Sequence, residues 1–150
     1  MTSTMPAAID GLLALLRARP SLERVQIVDG YPRFDIVDTA FIAIGGKPEP
    51  VAEGAQSSAA LGARKREERY TLRVYCSASL GGDDQKAARD QAFSLMAEVE
   101  DAVRQDVTLG GAVRVAEVAG AISLSQTDHD TAAFGVFAEV SFDVAVQARI

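Results

Sequence analysis

The chain has 150 residues, 48% of them hydrophobic and 24% charged, which is enough for one domain with a real core. Its net charge of −6 argues against general nucleic-acid binding, because a surface that tracks phosphates needs clustered Lys and Arg. The single cysteine, Cys76, excludes an intramolecular disulfide and fits a reducing compartment; no apolar run reaches bilayer length and no basic stretch leads into one, so a soluble, unprocessed protein is expected.

Pro6 suits a first helical turn, and Ile9, Leu12, Leu13 and Leu16 recur on one face of a helix. Arg17 and Arg19 suit its carboxyl end, and Pro20 stops it. Val25 and Ile27, preceded by Glu23, start a strand that the turn Asp29-Gly30-Tyr31-Pro32 closes. A second strand over 39–44 is β-branched and aromatic and ends at Gly45-Gly46. Between 46 and 63 the period disappears. Gly46, Lys47, Pro48, Glu49, Pro50, Glu53, Gln56, Ser57 and Ser58 are separated mainly by small residues, the composition of a long mobile loop.

From Arg64 the sequence turns basic, with Arg64, Lys65, Arg66, Arg69 and Arg73 against Glu67 and Glu68. It then alternates as a strand with one covered face: Tyr70, Leu72, Val74 and Cys76 on one side, Arg69, Thr71, Arg73 and Tyr75 on the other. After Leu80-Gly81-Gly82, Asp83 and Asp84 open a second helix where its macrodipole favours anions. Ala88, Ala92, Leu95, Val99 and Ala102, with Met96 and Val103 beside them, form its apolar stripe, and Glu100 is placed to pair with Arg104. Asp106-Val107-Thr108-Leu109-Gly110-Gly111 ends that helix and leads to Val113.

The last third reads as two strands. The first runs from Val113 through Val115, Val118, Ile122 and Leu124, with Gly120 a bulge or bend. The second puts Phe134, Val136, Ala138, Val140, Phe142, Val144, Val146 and Ala148 on a buried side, and Glu139, Ser141, Asp143, Gln147 and Arg149 on a polar one. The expected fold is α+β, a mostly antiparallel sheet packed by two helices in the order α-β-β-β-α-β-β, forming a single domain over residues 1–150.

Residues for catalysis are scarce. Asp128-His129-Asp130 brings the one histidine to two carboxylates, yet such a triplet between strands is ordinary hairpin composition. Cys76 within an alternating strand reads as a small core residue rather than a nucleophile. Gly45-Gly46-Lys47 and Leu80-Gly81-Gly82-Asp83 lack the spacing of a phosphate loop. No catalytic, metal or cofactor residue is assigned. The expected contact residues are instead basic Arg64, Lys65, Arg66, Arg69 and Arg73, set against acidic Asp83, Asp84, Glu98 and Asp101, because opposite signs in one chain allow identical copies to meet head to tail in a ring.

Val28-Asp29-Gly30-Tyr31-Pro32, the strand ending at Ile44-Gly45, the strand Arg69-Tyr70-Thr71-Leu72-Arg73-Val74, the turn Asp106 to Gly111 and the ending Ala148-Arg149-Ile150 together resemble the tail terminator proteins of long-tailed bacteriophages, in order and spacing over nearly the whole chain. The resemblance implies a non-enzymatic virion protein without cofactors, present as a homohexameric ring at the tail or neck and assembled in the bacterial host cytoplasm. Its implied partners are the tail tube protein, whose growth it stops, and the head connector or neck protein; no membrane or specific nucleic-acid binding is implied, and DNA passes through the ring. A prophage remnant or a gene transfer agent fits equally. The 46–63 loop is then expected to order on assembly. The alternatives are another neck or head-completion ring protein and, more distantly, a small enzyme using His129.

Overall fold

The computed structural model describes residues 2–32, 40–45, 50–58, 65–128 and 135–150. Helix α1 (Met5–Arg17) carries Pro6 in its first turn and buries Ala8, Leu12, Leu13 and Leu16. A 3-10 turn (Pro20–Leu22) follows, then β1 (Gln26–Asp29), β2 (Ala40–Ile44), β3 (Ala52–Ser58) and β4 (Arg66–Leu80). Helix α2 (Gln85–Gln105) leads to β5 (Val115–Asp128) and β6 (Val136–Arg149). The class is α+β, with two helices and a six-stranded mixed, mostly antiparallel sheet packed against α2.

The strand order is β1-β2-β4-β6-β5. β1 and β2 run parallel, whereas every other pair is antiparallel. β4 is the spine of the sheet. One of its sides pairs with β6 from Glu67 to Leu80, and the other is shared between β2, which takes residues 74–78, and β3, which takes 66–72.

β3 departs from the sequence reading, which made all of 46–63 a loop. Glu53, Gln56, Ser57 and Ser58 belong to this strand, while Gly46, Lys47, Pro48 and Glu49 lie outside the described residues. The physical reason lies in β4, whose first half has no other partner on that side, so its N–H and C=O groups are satisfied by β3. Close approach also dictates small residues there. A Cβ on Gly54 would sit 2.1 Å from the Arg69 carbonyl oxygen and 2.3 Å from Tyr70 Cβ. What looked like loop composition is the composition of a tightly apposed edge strand.

The core lies between α2 and one face of the sheet. The stripe Ala88, Ala92, Leu95, Met96, Val99, Ala102 and Val103 is buried as its spacing predicts. It faces Leu72, Val74, Cys76 and Ala78 of β4 and Val136, Ala138, Val140, Phe142, Val144 and Val146 of β6, all 4% exposed or less. Each such Val, Leu or Phe contributes about 1.5–3 kcal/mol by leaving water. Residues 129–134, His129 and Phe134 among them, lie outside the described residues. A smaller apolar group, Phe41, Ala43 and Tyr75 with Val28 and Tyr31, covers part of the opposite face. Tyr31 meets the rings of Phe41 and Tyr75 edge-on at 5.5 and 5.4 Å.

Two local devices fix the ends of α2. Asp84 caps it by accepting the Ala87 N–H at 3.0 Å, as expected of its position. At the other end Asp106 accepts from the backbone N–H of Thr108 and of Gly110, both at 2.9 Å, and from the Thr108 hydroxyl. The Thr108 hydrogen bonds, with that from Gly110, hold the Asp106 carboxyl below its ordinary pKa. The turn they hold puts Leu109 at φ +50°, fully buried, with its backbone against α1. Gly11 makes that contact possible, because a Cβ there would lie 2.1 Å from the Leu109 oxygen. Gly11→Ala, although a better helix former, is therefore expected to lower stability by about 1–3 kcal/mol through overpacking. Thermal or urea unfolding checks this; a gain in stability would show that the turn yields freely.

Candidate assembly surfaces

The expected contact residues fall into three structural groups. Lys65, Arg66 and Arg69 are exposed at the beginning of β4. Arg66 donates to the Gln56 side chain at 3.0 Å, and its backbone exchanges hydrogen bonds with Ile150. Glu67 is partly neutralised by Arg149 at 3.6 Å across the β4–β6 ladder. This corner of the sheet is basic and open to solvent. Arg64 lies outside the described residues.

Arg73 differs from its neighbours. It faces Asp143 across the ladder and pairs with it at 2.9 Å, with side-chain exposures of 32% and 22%. It is paired within the subunit, with a partner that the sequence reading did not include. Sequence spacing put Arg73 on the correct face; it could not supply the register that sets Asp143 opposite.

The acidic group divides in the same way. Asp83 and Asp84 are exposed before the first turn of α2. Glu98 instead accepts from Arg19 Nε at 3.0 Å and from Ser21 Oγ at 2.7 Å, and Asp101 lies 3.8 Å from Arg19. The Ser21 bond first, and then Arg19, hold the Glu98 carboxyl below its usual range. Glu98 thus pins the segment after α1 onto α2, while Asp101 keeps a side chain 62% exposed at the edge of this pair.

Two buried carboxylates escaped the sequence reading. Glu68 is 1% exposed and lies beside the amino end of α1. Its Oε2 accepts the Thr4 backbone N–H at 2.8 Å and the Thr4 hydroxyl at 2.7 Å, while Oε1 accepts from the Gln56 amide. With its one proton given to Glu68, Thr4 Oγ1 accepts from Tyr70 Oη at 2.8 Å. Burial raises the Glu68 pKa, but the bonds from Thr4, Gln56 and Ser3 outweigh it and the carboxyl lies below its ordinary value. The N-cap residue Thr4 makes no side-chain capping bond, although Ser3 Oγ accepts the Met5 N–H at 3.1 Å, and this carboxylate on β4 supplies the negative charge that the amino end of α1 favours. The sequence signal was present: Glu68 is in phase with Tyr70, Leu72 and Val74.

Glu139, 4% exposed, lies on the opposite face of the sheet and accepts from the Tyr31 hydroxyl. Burial and this bond raise the Tyr31 pKa, so the phenol remains a donor. The polar side expected for β6 is thus partly buried at Glu139, beneath the Asp29-Gly30-Tyr31-Pro32 turn.

Cys76 is fully buried, and burial, reinforced by Glu139, pushes its thiol pKa up. It packs as the core residue that the alternation predicts. Among the described residues no group of three or more His, Cys, Asp or Glu side chains is arranged to hold a metal ion, and no helix is long and apolar enough to cross a membrane. An open cleft of about 440 Å³ lies between α1 and α2, lined by Leu15, Pro20, Ala102 and Gln105, with Arg19 along it. The Arg19 bonds to Glu98 and Gln105 use the polar groups there for helix docking.

Neither a protein-family model nor a curated protein matches the chain.

Proposed function

We propose that this chain is a structural assembly protein, a tail terminator of a long-tailed bacteriophage or of a phage-derived particle such as a gene transfer agent. In this reading six copies form a ring on the last ring of tube subunits, stop tube growth and present the surface to which the head connector docks. The family resemblance stated above suggests the role, and one observation on the molecule supports it. Exposed charge is segregated: Lys65, Arg66 and Arg69 lie at one end of β4, and Asp83 and Asp84 follow its other end. A strand of 15 residues spans roughly 50 Å at about 3.3 Å per residue. Charges of opposite sign that far apart favour head-to-tail contact between copies over self-neutralisation.

Light scattering and negative-stain microscopy test the proposal on the protein alone and with purified tail tube protein. Six-membered rings are expected, at high concentration or on tube ends, and they should loosen with added salt because exposed charges are screened beyond about 8 Å at physiological ionic strength. Binding to a head-completion partner but never to tube ends would favour the neck-protein alternative. A strict monomer or two-fold dimer under every condition, tube protein included, would reject the reading.

A further inference from the structure

The far half of β5 is unusual within this sheet. Residues 120–126, Gly-Ala-Ile-Ser-Leu-Ser-Gln, are all exposed although they form a strand, and they contain no charge. Ile122 is 53% exposed and Leu124 41% exposed. The register sets Leu124 opposite Val140, a core residue, so Leu124 points to the α2 side of the sheet. Beside it Gln126 donates to Gln85 at the start of α2. Phe93, 39% exposed, shares a helical stripe with Glu100 and Arg104, which line the groove between α2 and β5. Exposed apolar side chains therefore flank an open strand edge. Natural proteins normally protect such an edge with charge, proline, a bulge or a covering segment; 120–126 has the bulge at Gly120 and, among the described residues, none of the others.

The sheet has a second open edge. β3 pairs with β4 on one side only, and among the described residues no backbone hydrogen bond reaches the outer side of 52–58 or of 120–126. The two edges lie at diagonal corners. β3 adjoins β4 residues 66–72, the end bearing Lys65, Arg66 and Arg69, with Glu53 and the buried Glu68 as opposing charges and Glu67 paired to Arg149. The open half of β5 adjoins the start of α2, which bears Asp83 and Asp84; there Lys86 and Asp90 neutralise each other and Arg89 is the opposing charge. One corner is net basic and the other net acidic. Small side chains at Ala52, Gly54, Ala55 and Ser57 let a neighbouring backbone come close.

We infer that the edge of β5 at 120–126 docks the β3 edge of a second copy of this chain, so that neighbouring sheets join through backbone hydrogen bonds with the basic corner of one copy over the acidic corner of the next. The inference rests on the ring reading above and specifies its interface. The contact is heterologous, since two different edges meet, and therefore propagates around a ring instead of stopping at a dimer. Burying Ile122 and Leu124 adds apolar area at each junction, and the lack of charge on the edge removes one usual obstacle to pairing.

Hydrogen exchange on wild-type protein, dilute and then assembled alone or on tube ends, tests this. Amides in both 52–58 and 120–126 should slow at least tenfold on assembly. Ile122→Lys with Leu124→Lys places charge on positions already exposed, so the variant should keep its unfolding midpoint and fail to assemble. Rings whose 120–126 amides exchange as in the free subunit would overturn the edge contact and leave the ring reading intact. So would a folded double-lysine variant that assembles normally. A wild-type chain that stays monomeric even with tube protein would overturn both. Should the variant unfold, the exchange data on wild-type protein still decide the matter.

Discussion

Reversing charge at Lys65, Arg66 and Arg69 together should leave a subunit that unfolds cooperatively near the wild-type midpoint but no longer forms rings. All three side chains are exposed, and exposed substitutions typically change stability by about 0.5 kcal/mol or less each. Arg66 gives up its bond to Gln56, itself an exposed contact. Assembly responds differently, because every interface of a closed ring repeats the reversal, and like-charge juxtaposition costs several kcal/mol at each. Arg73→Glu is the control. It faces Asp143 directly across the β4–β6 ladder, so the change replaces a pair by two opposed carboxylates and should cost on the order of 1–2 kcal/mol of fold stability. Thermal unfolding beside electron microscopy of particles separates the two effects. Particles of normal length and joining, made with the triple variant, would remove this corner from the interface. Loss of folding in the triple variant, with Arg73→Glu silent, would mean that the internal and external arginines have been interchanged.

The contrast between these arginines shows how far the sequence was legible. Period carries the parts with a dry face: the α2 stripe, Tyr70, Leu72, Val74 and Cys76 of β4, and the β6 run from Val136 to Ala148 are buried as expected, although Tyr75, read onto the other face of β4, is buried as well. Gly120, read as a bulge or bend, has φ +89° and lies in the register shift between Ala119 and Ser123. Period fails where both faces of a strand are wet or both are dry. β3 exposes Glu53, Gly54, Ala55, Gln56 and Ser57, so it has no alternation to detect, and its backbone pairing with β4 leaves no trace in hydrophobicity. β2 is buried at all five positions. Polar residues mislead for a related reason. Glu68 and Glu139 were assigned to solvent by their charge, yet each is held by donors distant in sequence, Thr4 and Tyr31. Arg19 finds Glu98 79 residues away, a pairing that local spacing has no means to express. The sites of attachment between elements were therefore the least readable part of the chain. The side chains of Lys65, Arg66, Arg69, Asp83 and Asp84 are exposed, as their charge suggested, although Asp84 also caps α2 and Arg66 also bonds Gln56.

Removing the Glu68 carboxylate should have the largest effect on the fold of any single polar change at this corner. With Glu68→Ala, the Thr4 N–H and hydroxyl lose their carboxylate acceptor where Thr4 is only 4% exposed, while the exposed Gln56 amide keeps its bond to the Thr2 carbonyl. An orphaned buried donor costs about 1–3 kcal/mol, so a total loss of about 2–5 kcal/mol is expected. Glu68→Gln preserves shape and one acceptor oxygen, and isolates the charge. Because the folded carboxyl titrates below its ordinary value of 4.5, its contribution is complete above that pH and is lost as pH falls through the folded value. Wild-type stability should therefore decline on acidification below about pH 4.5, and the Gln variant should decline less steeply over the same range. Asp106 and Glu98 also have lowered pKa values and add to the acid slope of both proteins, so the difference between the two curves reports Glu68. The same carboxylate ties the start of α1 to the β3 side chain Gln56 and to β4 beside Arg69. Both variants should accordingly speed amide exchange at 52–58 in the free subunit and weaken ring formation with every exposed arginine still present. Urea unfolding from pH 3 to 7, with exchange measured at neutral pH, provides the test. Parallel pH curves for wild type and Glu68→Gln would show that the buried carboxylate does not hold the α1–β3–β4 corner electrostatically.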